Sequence, residues 1–143
     1  KIRTGARELI DYCRKKYFQF VIVSNGLSFY IKALLRDIGI ENIEVFAAQT
    51  RFSPEGLEAW YEGPDGNRLE DGFKEAYVRL FLRRGYRVVY IGNGISDVSP
   101  AKLAHHVFAT GDLLVYCKEM DISCIPFVDL NDVVRELERL PLE

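Results

Sequence analysis

The sequence predicts an α/β fold, a doubly wound parallel sheet with helices on both faces and a small β-hairpin flap. Three observations predict it. In residues 87–100, RVVYIGNGISDVSP, an apolar run over 88–91 stops at Gly92, and a small-polar turn follows that ends in Asp97. Residues 20–26, FVIVSNG, repeat the arrangement, with Ser24, Asn25 and Gly26 after the apolar run. Elsewhere apolar residues recur at helical spacing, so helices alternate with strands and the sheet is parallel and Rossmann-like. Parallel α/β sheets hold their ligands just beyond the carboxyl ends of the strands. Two such turns in one short chain are therefore expected to share one site.

From the N-terminus, residues 4–16 have helical spacing, with Ala6, Leu9, Ile10 and Cys13 on one face and Thr4 as the expected N-cap. Residues 18–23 are apolar apart from Gln19, as a strand covered on both faces requires. Residues 27–38 return to helical spacing, and Gly39 is a stop signal. A short β-compatible run follows at 43–48. The pattern then breaks: 49–67 carries Pro54, Gly56, Gly63, Pro64 and Gly66 around LEAWYE, which reads as a surface hairpin or flap. Trp60 and Tyr61 are expected to pack that flap onto the core. Helical spacing resumes over 69–84 and Gly85 closes it. The strand at 88–91 leads through its turn to a helix from about Ser99, with Pro100 suited to the first position. A short strand at 107–109 and a helix capped by Asp112 come next. An extended piece at 125–128 and a terminal helix at 131–140 complete the alternation.

The 143 residues suit one domain, 1–143, with a single core and the flap at about 49–67. A net charge of -2, from 19 basic and 21 acidic residues without a block of like charge, gives nucleic-acid binding no support. No apolar stretch approaches the roughly 20 residues of a membrane span. The opening KIRTGARELIDYC is charged and amphipathic, unlike a signal peptide. Cys13, Cys117 and Cys124 lack zinc-type spacing and read as reduced thiols of a cytoplasmic protein.

With these pieces in this order, the chain resembles the haloacid dehalogenase superfamily of phosphotransferases. The likeness is to its phosphoserine-phosphatase-like branch, which includes the methylthiopentenyl-phosphate phosphatases of methionine salvage. VIVSNG resembles the family's second motif, whose serine holds the phosphate, here Ser24. Lys74, in DGFKEAYV, stands where the family places its third-motif lysine, and IGNGISD resembles the acidic metal loop. The tail from His105 to Val134 is similar to the ending of the salvage phosphatases. The fold implied is a haloacid-dehalogenase-like core. The function implied is hydrolysis of small phosphorylated metabolites, dependent on Mg2+, through an aspartyl-phosphate that splits one displacement into two. Lys74 is the implied catalytic charge, and Ser24 with the backbone N–H groups of Asn25 and Gly26 the implied phosphate cradle, aided by the following helix N-terminus. Asn93 and Asp97 are the implied metal residues, Asp97 often acting through water.

Two departures qualify the resemblance. The family's first motif, Asp-x-Asp on a first strand, is absent: neither Asp65 nor Asp71 has an Asp two residues on. The chain therefore reads as the C-terminal two-thirds of a longer protein, with the nucleophile and a cap upstream. The metal loop opens with Asn93 where the family has aspartate, and an amide brings no negative charge. In the family the missing strand lies between the strands ending at Ser24 and Gly92, so its loss implies a gap of roughly 10 Å. A separate N-terminal segment is expected to fill that gap; direct pairing, instability or homo-oligomer formation are the alternatives.

Taken without the resemblance, each residue has an ordinary reading beside the chemical one. Ser24 equally caps the helix starting near Leu27, and Lys74 alone is a solvated surface charge, set apart only by its place before the strand at 88–91. Asp97 could cap the helix after it, but an acidic residue five positions past Gly92 at a strand end favours metal, whereas Asn93–Gly94 suits a plain tight turn as well as a metal role. His105 and His106 have no partners at ligand spacing and read as loop or packing residues. Two further functions compete: a non-catalytic binding or scaffold domain of the same fold, and another doubly wound fold such as a receiver-like or nucleotide-binding domain. The chain lacks the glycine-rich turns that nucleotide binding requires.

Overall fold

In the computed structural model, which describes residues 2–141, helix and strand alternate, and four of the helices are stopped in one repeated way. The first compact unit, Lys1–Phe73, contains α1 (Ala6–Lys15), β1 (Val21–Leu27), α2 (Ser28–Asp37), β2 (Glu44–Ser53), β3 (Gly56–Glu62) and β4 (Arg68–Leu69). The second, Lys74–Glu143, contains α3 (Phe73–Arg83) but for its first residue, then β5 (Val89–Gly92) and a 3-10 turn over Ile95–Asp97. It continues with α4 (Val98–Leu103), β6 (His106–Ala109), α5 (Gly111–Glu119), β7 (Ile125–Pro126) and α6 (Leu130–Leu137).

Helices α1, α2, α3 and α5 share one ending. The residue after the cap takes a left-handed backbone: Tyr17 (φ 60), Gly39 (φ 75), Gly85 (φ 88) and Asp121 (φ 55). The next N–H then reaches back to a carbonyl five residues earlier, at 2.8–3.0 Å, as in Phe18 to Cys13, Ile40 to Leu35, Tyr86 to Phe81 and Ile122 to Cys117. This bond satisfies a carbonyl that the helix end would leave bare. The pair it joins is apolar, and the stop is also a packing contact where the Phe81 and Tyr86 rings meet edge to face at 5.7 Å and where Leu35 and Ile40, and Cys117 and Ile122, share a core cluster. Gly39 and Gly85 act as the sequence predicts. Tyr17 and Asp121 do the same work without glycine.

The strands form two sheets, β1-β2-β3-β4 and β5-β6-β7. β1 runs parallel to β2, and β5, β6 and β7 are all parallel, which accords with the α/β class read from the sequence. The flap is a true hairpin: β2 and β3 pair antiparallel from Gln49↔Trp60 to Ser53↔Gly56, and β4 adds to β3. The expected strand at 43–48 and the first arm of the flap are one continuous strand, because nothing between Ala48 and Ser53 breaks extended backbone. The mixed β1–β4 sheet follows from that continuity.

The first core gathers Ile10, Leu35 and Ile40 under Ile22 and Val45. The second gathers Ala101, Val107, Ala109, Leu113 and Cys117. β6 is buried at Val107, Phe108 and Ala109, whereas all four residues of β5 are half-buried, because β5 lies at its sheet edge. β1 is the edge of the other sheet, and Val21–Val23 are half-buried in the same way. The three cysteines are free thiols, and burial pushes the Cys13 thiol up to about 11. Among the described residues no helix is long and apolar enough to cross a membrane.

Several sequence expectations shift at element ends. Gly5, with φ 92, is the N-cap of α1, and Thr4 lies outside it. Helix α3 starts at Phe73 because Gly72 adopts φ +66, and Leu69 belongs to β4. Thr110 rather than Asp112 holds the N-cap of α5, leaving Asp112 in its first turn. Pro100 sits third in α4, where an N–H has no helical partner to lose. β7 stops at Pro126, and Val128 is 84% exposed. Helix α6 is capped by Asp129, whose carboxylate accepts from Asn131 and Asp132 N–H.

Phe108 is fully buried. Phe108→Ala is expected to lower unfolding free energy by about 3–5 kcal/mol, read as a shift of the urea midpoint.

Candidate active site

At the carboxyl end of β5 the chain turns on Gly92 and doubles back through the 3-10 turn, so that Asp97 returns to the strand it left. A Cβ on Gly92 would lie 2.7 Å from the Asp97 Cγ and Oδ2, so only glycine admits this approach. Asp97 is 3% exposed. Its Oδ2 accepts from the backbone N–H groups of Asn93 and Gly94, both at 2.9 Å. Its Oδ1 accepts from Lys74 Nζ at 2.8 Å and from the Tyr90 hydroxyl at 2.5 Å. Four donors fill the four lone-pair sites of the carboxylate. Burial alone drives the Asp97 carboxyl upward, but the bonds from Lys74, Tyr90, Gly94 and Asn93 together outweigh it and hold the group below the ordinary carboxylate range. Burial, reinforced by Asp97, pushes the Tyr90 phenol up.

Lys74 reaches this carboxylate from the first turn of α3, and its side chain is 15% exposed. A second N–H goes to Ser96 Oγ at 3.1 Å. Two of the three ammonium donors are thus fixed, and the ammonium is aimed rather than free on its long stem. The turn is tied to β6 as well: Thr110 N–H donates to Gly92 O at 3.2 Å, and a Cβ on Gly111 would meet Asn93 O at 2.9 Å.

In the first unit, Ser24, Asn25 and Gly26 do not form a plain turn after the strand. β1 continues through them to Leu27, and its register against β2 slips, Val23↔Phe46 being followed by Leu27↔Ala48. The extra residues bulge, which bends the strand and re-aims its side chains. Ser24 Oγ accepts from Gly26 N–H at 3.0 Å, so that N–H is spent inside the bulge while the serine's own proton stays available. Ser24 does not cap the next helix; Leu27 is its N-cap and carries no side-chain bond. The hairpin holds the bulge in place. Tyr61 hydroxyl donates to Asn25 O at 2.6 Å, its ring packs on Phe73 at 5.0 Å, and Phe29 meets Phe52 at 6.3 Å.

Of the sequence-predicted residues, Lys74, Asp97 and the Asn93 backbone come together in the second unit, and Ser24, Asn25 and Gly26 in the first. The sequence does not mark Tyr90, Ser96 or Tyr61 for the site. A hydroxyl within the otherwise apolar run 88–91 was the one available signal for Tyr90. His105 Nδ1 accepts from Val88 N–H at 2.9 Å, which accords with a packing role. His106 Nε2 is buried without a partner among the described residues. A magnesium ion needs carboxylate or other oxygen ligands with open lone pairs. Asp97 has none open, the Asn93 side chain is neutral and exposed, and no three His, Cys, Asp or Glu residues cluster among those described. The described residues do not by themselves fit that ion.

The family model for haloacid dehalogenase-like hydrolases matches residues 1–102. The chain is 34% identical over 145 aligned positions to a 2-hydroxy-3-keto-5-methylthiopentenyl-1-phosphate phosphatase of Geobacillus thermodenitrificans, covering 98% of this chain and 64% of that protein. It is 29% identical to the protein of the same description from Bacillus mycoides, covering 98% of this chain and 65% of that one. The chain thus spans about two-thirds of these relatives' length. Among solved structures, an apo phosphoserine phosphatase superposes with a TM-score of 0.63 at 20% identity, over 93% of this chain and 66% of that one. A probable phosphoserine phosphatase of Vibrio cholerae gives 0.64 at 16% identity, over 100% of this chain and 46% of that one. At such identities the likeness is one of fold.

Two outcomes test the network. Asp97→Asn leaves Lys74 without its counter-charge and is expected to cost about 3 kcal/mol at neutral pH. Because the folded carboxyl lies below its unfolded value of about 3.9, this stabilisation is complete above that pH and is lost as pH falls through the folded value. Urea titrations of both proteins should therefore converge in acid. Gly92→Ala pushes into Asp97 and is expected to cost about 1–3 kcal/mol in the same assay.

Proposed function

Since the chain belongs to the haloacid dehalogenase-like hydrolase family, we propose that it carries the phosphate-handling part of a phosphatase for small phosphorylated metabolites. The observation that carries this reading is the Lys74–Asp97 pair. It is a nearly buried ammonium, 2.8 Å from a carboxylate that is itself locked by three other donors, at the tip of a parallel strand. A fixed positive charge with a remaining donor is what a transferring phosphoryl group needs, since its charge develops on the outer oxygens. The names of the relatives support a substrate in which a short keto-bearing, sulfur-containing chain ends in one phosphate.

In this reading Lys74 neutralises phosphate charge. Ser24 donates its hydroxyl, pre-set by the Gly26 N–H that it accepts. The Asn25 N–H and the N-terminus of α2 add further partial positive charge. The nucleophile is an aspartate supplied upstream of this chain, forming an aspartyl-phosphate that water then hydrolyses. The half-buried edge strands β1 and β5, apolar in sequence, support a further strand in the complete protein. Such a segment also supplies the carboxylates that the family's magnesium requires and that Asn93 and Asp97 do not provide. Reduced thiols accord with a cytoplasmic setting.

A second reading, a non-catalytic binding domain, is favoured by one observation, the neutral Asn93 in the loop where the family has a carboxylate.

The chain on its own is expected to bind inorganic phosphate without hydrolysing p-nitrophenyl phosphate. Lys74→Ala is expected to weaken phosphate binding, followed by amide chemical-shift titration, by about 10-fold or more, the worth of one charge-assisted hydrogen bond. Unchanged affinity in that variant refutes the role of Lys74. Turnover by the purified 143 residues refutes the upstream nucleophile.

A further inference from the structure

We propose that Tyr90 is a positioning residue for Lys74, acting through Asp97. The inference rests on the reading that the Lys74 ammonium meets a phosphate. Tyr90 lies in the middle of β5, flanked by Val89 and Ile91 and paired with Val107 on β6. The strand there is apolar, and phenylalanine would satisfy its packing equally. What tyrosine adds is one hydroxyl, and that hydroxyl goes to Asp97 Oδ1 at 2.5 Å. A buried hydroxyl costs free energy unless it is bonded, so this tyrosine is explained by the carboxylate and not by the core.

The two oxygens of Asp97 are held differently. Oδ2 is gripped by two backbone N–H groups of its own turn. Oδ1 is shared by Lys74 and Tyr90. Without Tyr90, the sole donor to Oδ1 would be the lysine, a flexible four-carbon chain that is itself the group to be placed. Tyr90 removes that circularity. Its ring has two rotatable bonds and stands on a strand, so it fixes Oδ1 whether or not Lys74 moves toward an anion. Its O–H also occupies one lone pair of the oxygen that attracts the ammonium. That moderates the pull of Asp97 and leaves Lys74 placed but not captured. Ser96 Oγ, 3.1 Å from Nζ, sets the second direction of the ammonium, so the third N–H has a defined heading.

Tyr90→Phe keeps the ring and deletes this function. Inorganic phosphate is expected to bind the variant about 3–10-fold more weakly than the unaltered chain, a change of one lost or misaimed hydrogen bond. The decisive comparison is the double variant. Because Tyr90 acts only through Lys74, Tyr90→Phe with Lys74→Ala should bind phosphate no more weakly than Lys74→Ala alone, whereas independent effects would multiply. Multiplying losses overturn the proposal, as does a Tyr90→Phe chain that binds phosphate like the original.

If the unaltered chain binds no phosphate, the phosphate reading itself fails, and nuclear magnetic resonance of the side chains decides the inference separately. A Lys74 ammonium signal slow to exchange with water in the original chain and fast in Tyr90→Phe supports it; the same signal in both overturns it. Should Tyr90→Phe not fold, the original chain still answers. A slowly exchanging Tyr90 hydroxyl proton supports the bond to Asp97, and a rapidly exchanging one overturns it.

Discussion

The carboxylate of Asp97 is the constraint on which the second unit's site depends. It is nearly out of water, and a charge there is tolerable only when every lone pair is met. Strand β5 meets one through Tyr90, the loop meets two through Asn93 and Gly94 N–H, and helix α3 meets the fourth through Lys74. A strand, the loop that leaves it and a helix are therefore fastened to one side chain. Gly92 belongs to the same constraint, for its missing Cβ is the space that Asp97 occupies. The ion pair is less a contribution to stability than a fixture, since a buried pair gives little net free energy while its rupture is costly.

The first unit solves a different problem by a different route. Its candidate phosphate group is carried on irregular strand, and irregular strand needs outside support. The hairpin supplies it: Tyr61 bonds the Asn25 carbonyl, and Phe52 reaches the Phe29 ring on α2. The hairpin can reach because β2 is not cut at Ala48 but runs on to Ser53. A strand that begins in the core parallel to β1 thus ends as one arm of the flap beside β3. The mechanical tie between scaffold and flap is covalent.

How much of this was legible in the sequence follows from the range of each signal. The alternation of helix and strand was legible, because apolar spacing and the glycines at 39 and 85 are local. The hairpin was legible from its prolines and glycines. The continuity of β2 was hidden, since Gln49 and Arg51 are the polar half of an alternating strand and look like loop. Lys74 and Asp97 were placed by motif order, but no pattern gave the sharing of Oδ1. That sharing depends on a 3-10 turn returning Asp97 to its own strand, and in sequence Tyr90 is one more member of an apolar run. Ser24 illustrates the reverse case. The sequence marks the residue, yet its partner is Gly26 and not the N-terminus of the helix that follows.

The four helix stops have a consequence for how the chain tolerates change. At Gly39 and Gly85 the left-handed backbone is free of steric conflict, but at Tyr17 and Asp121 a Cβ crowds the carbonyl at a cost of about 1 kcal/mol each. Tyr17 is 96% exposed, so its ring returns nothing by burial. These junctions are thus small reservoirs of tension. Relief there by glycine offers the fold a margin with which to absorb damage elsewhere, and it asks nothing of the chemistry.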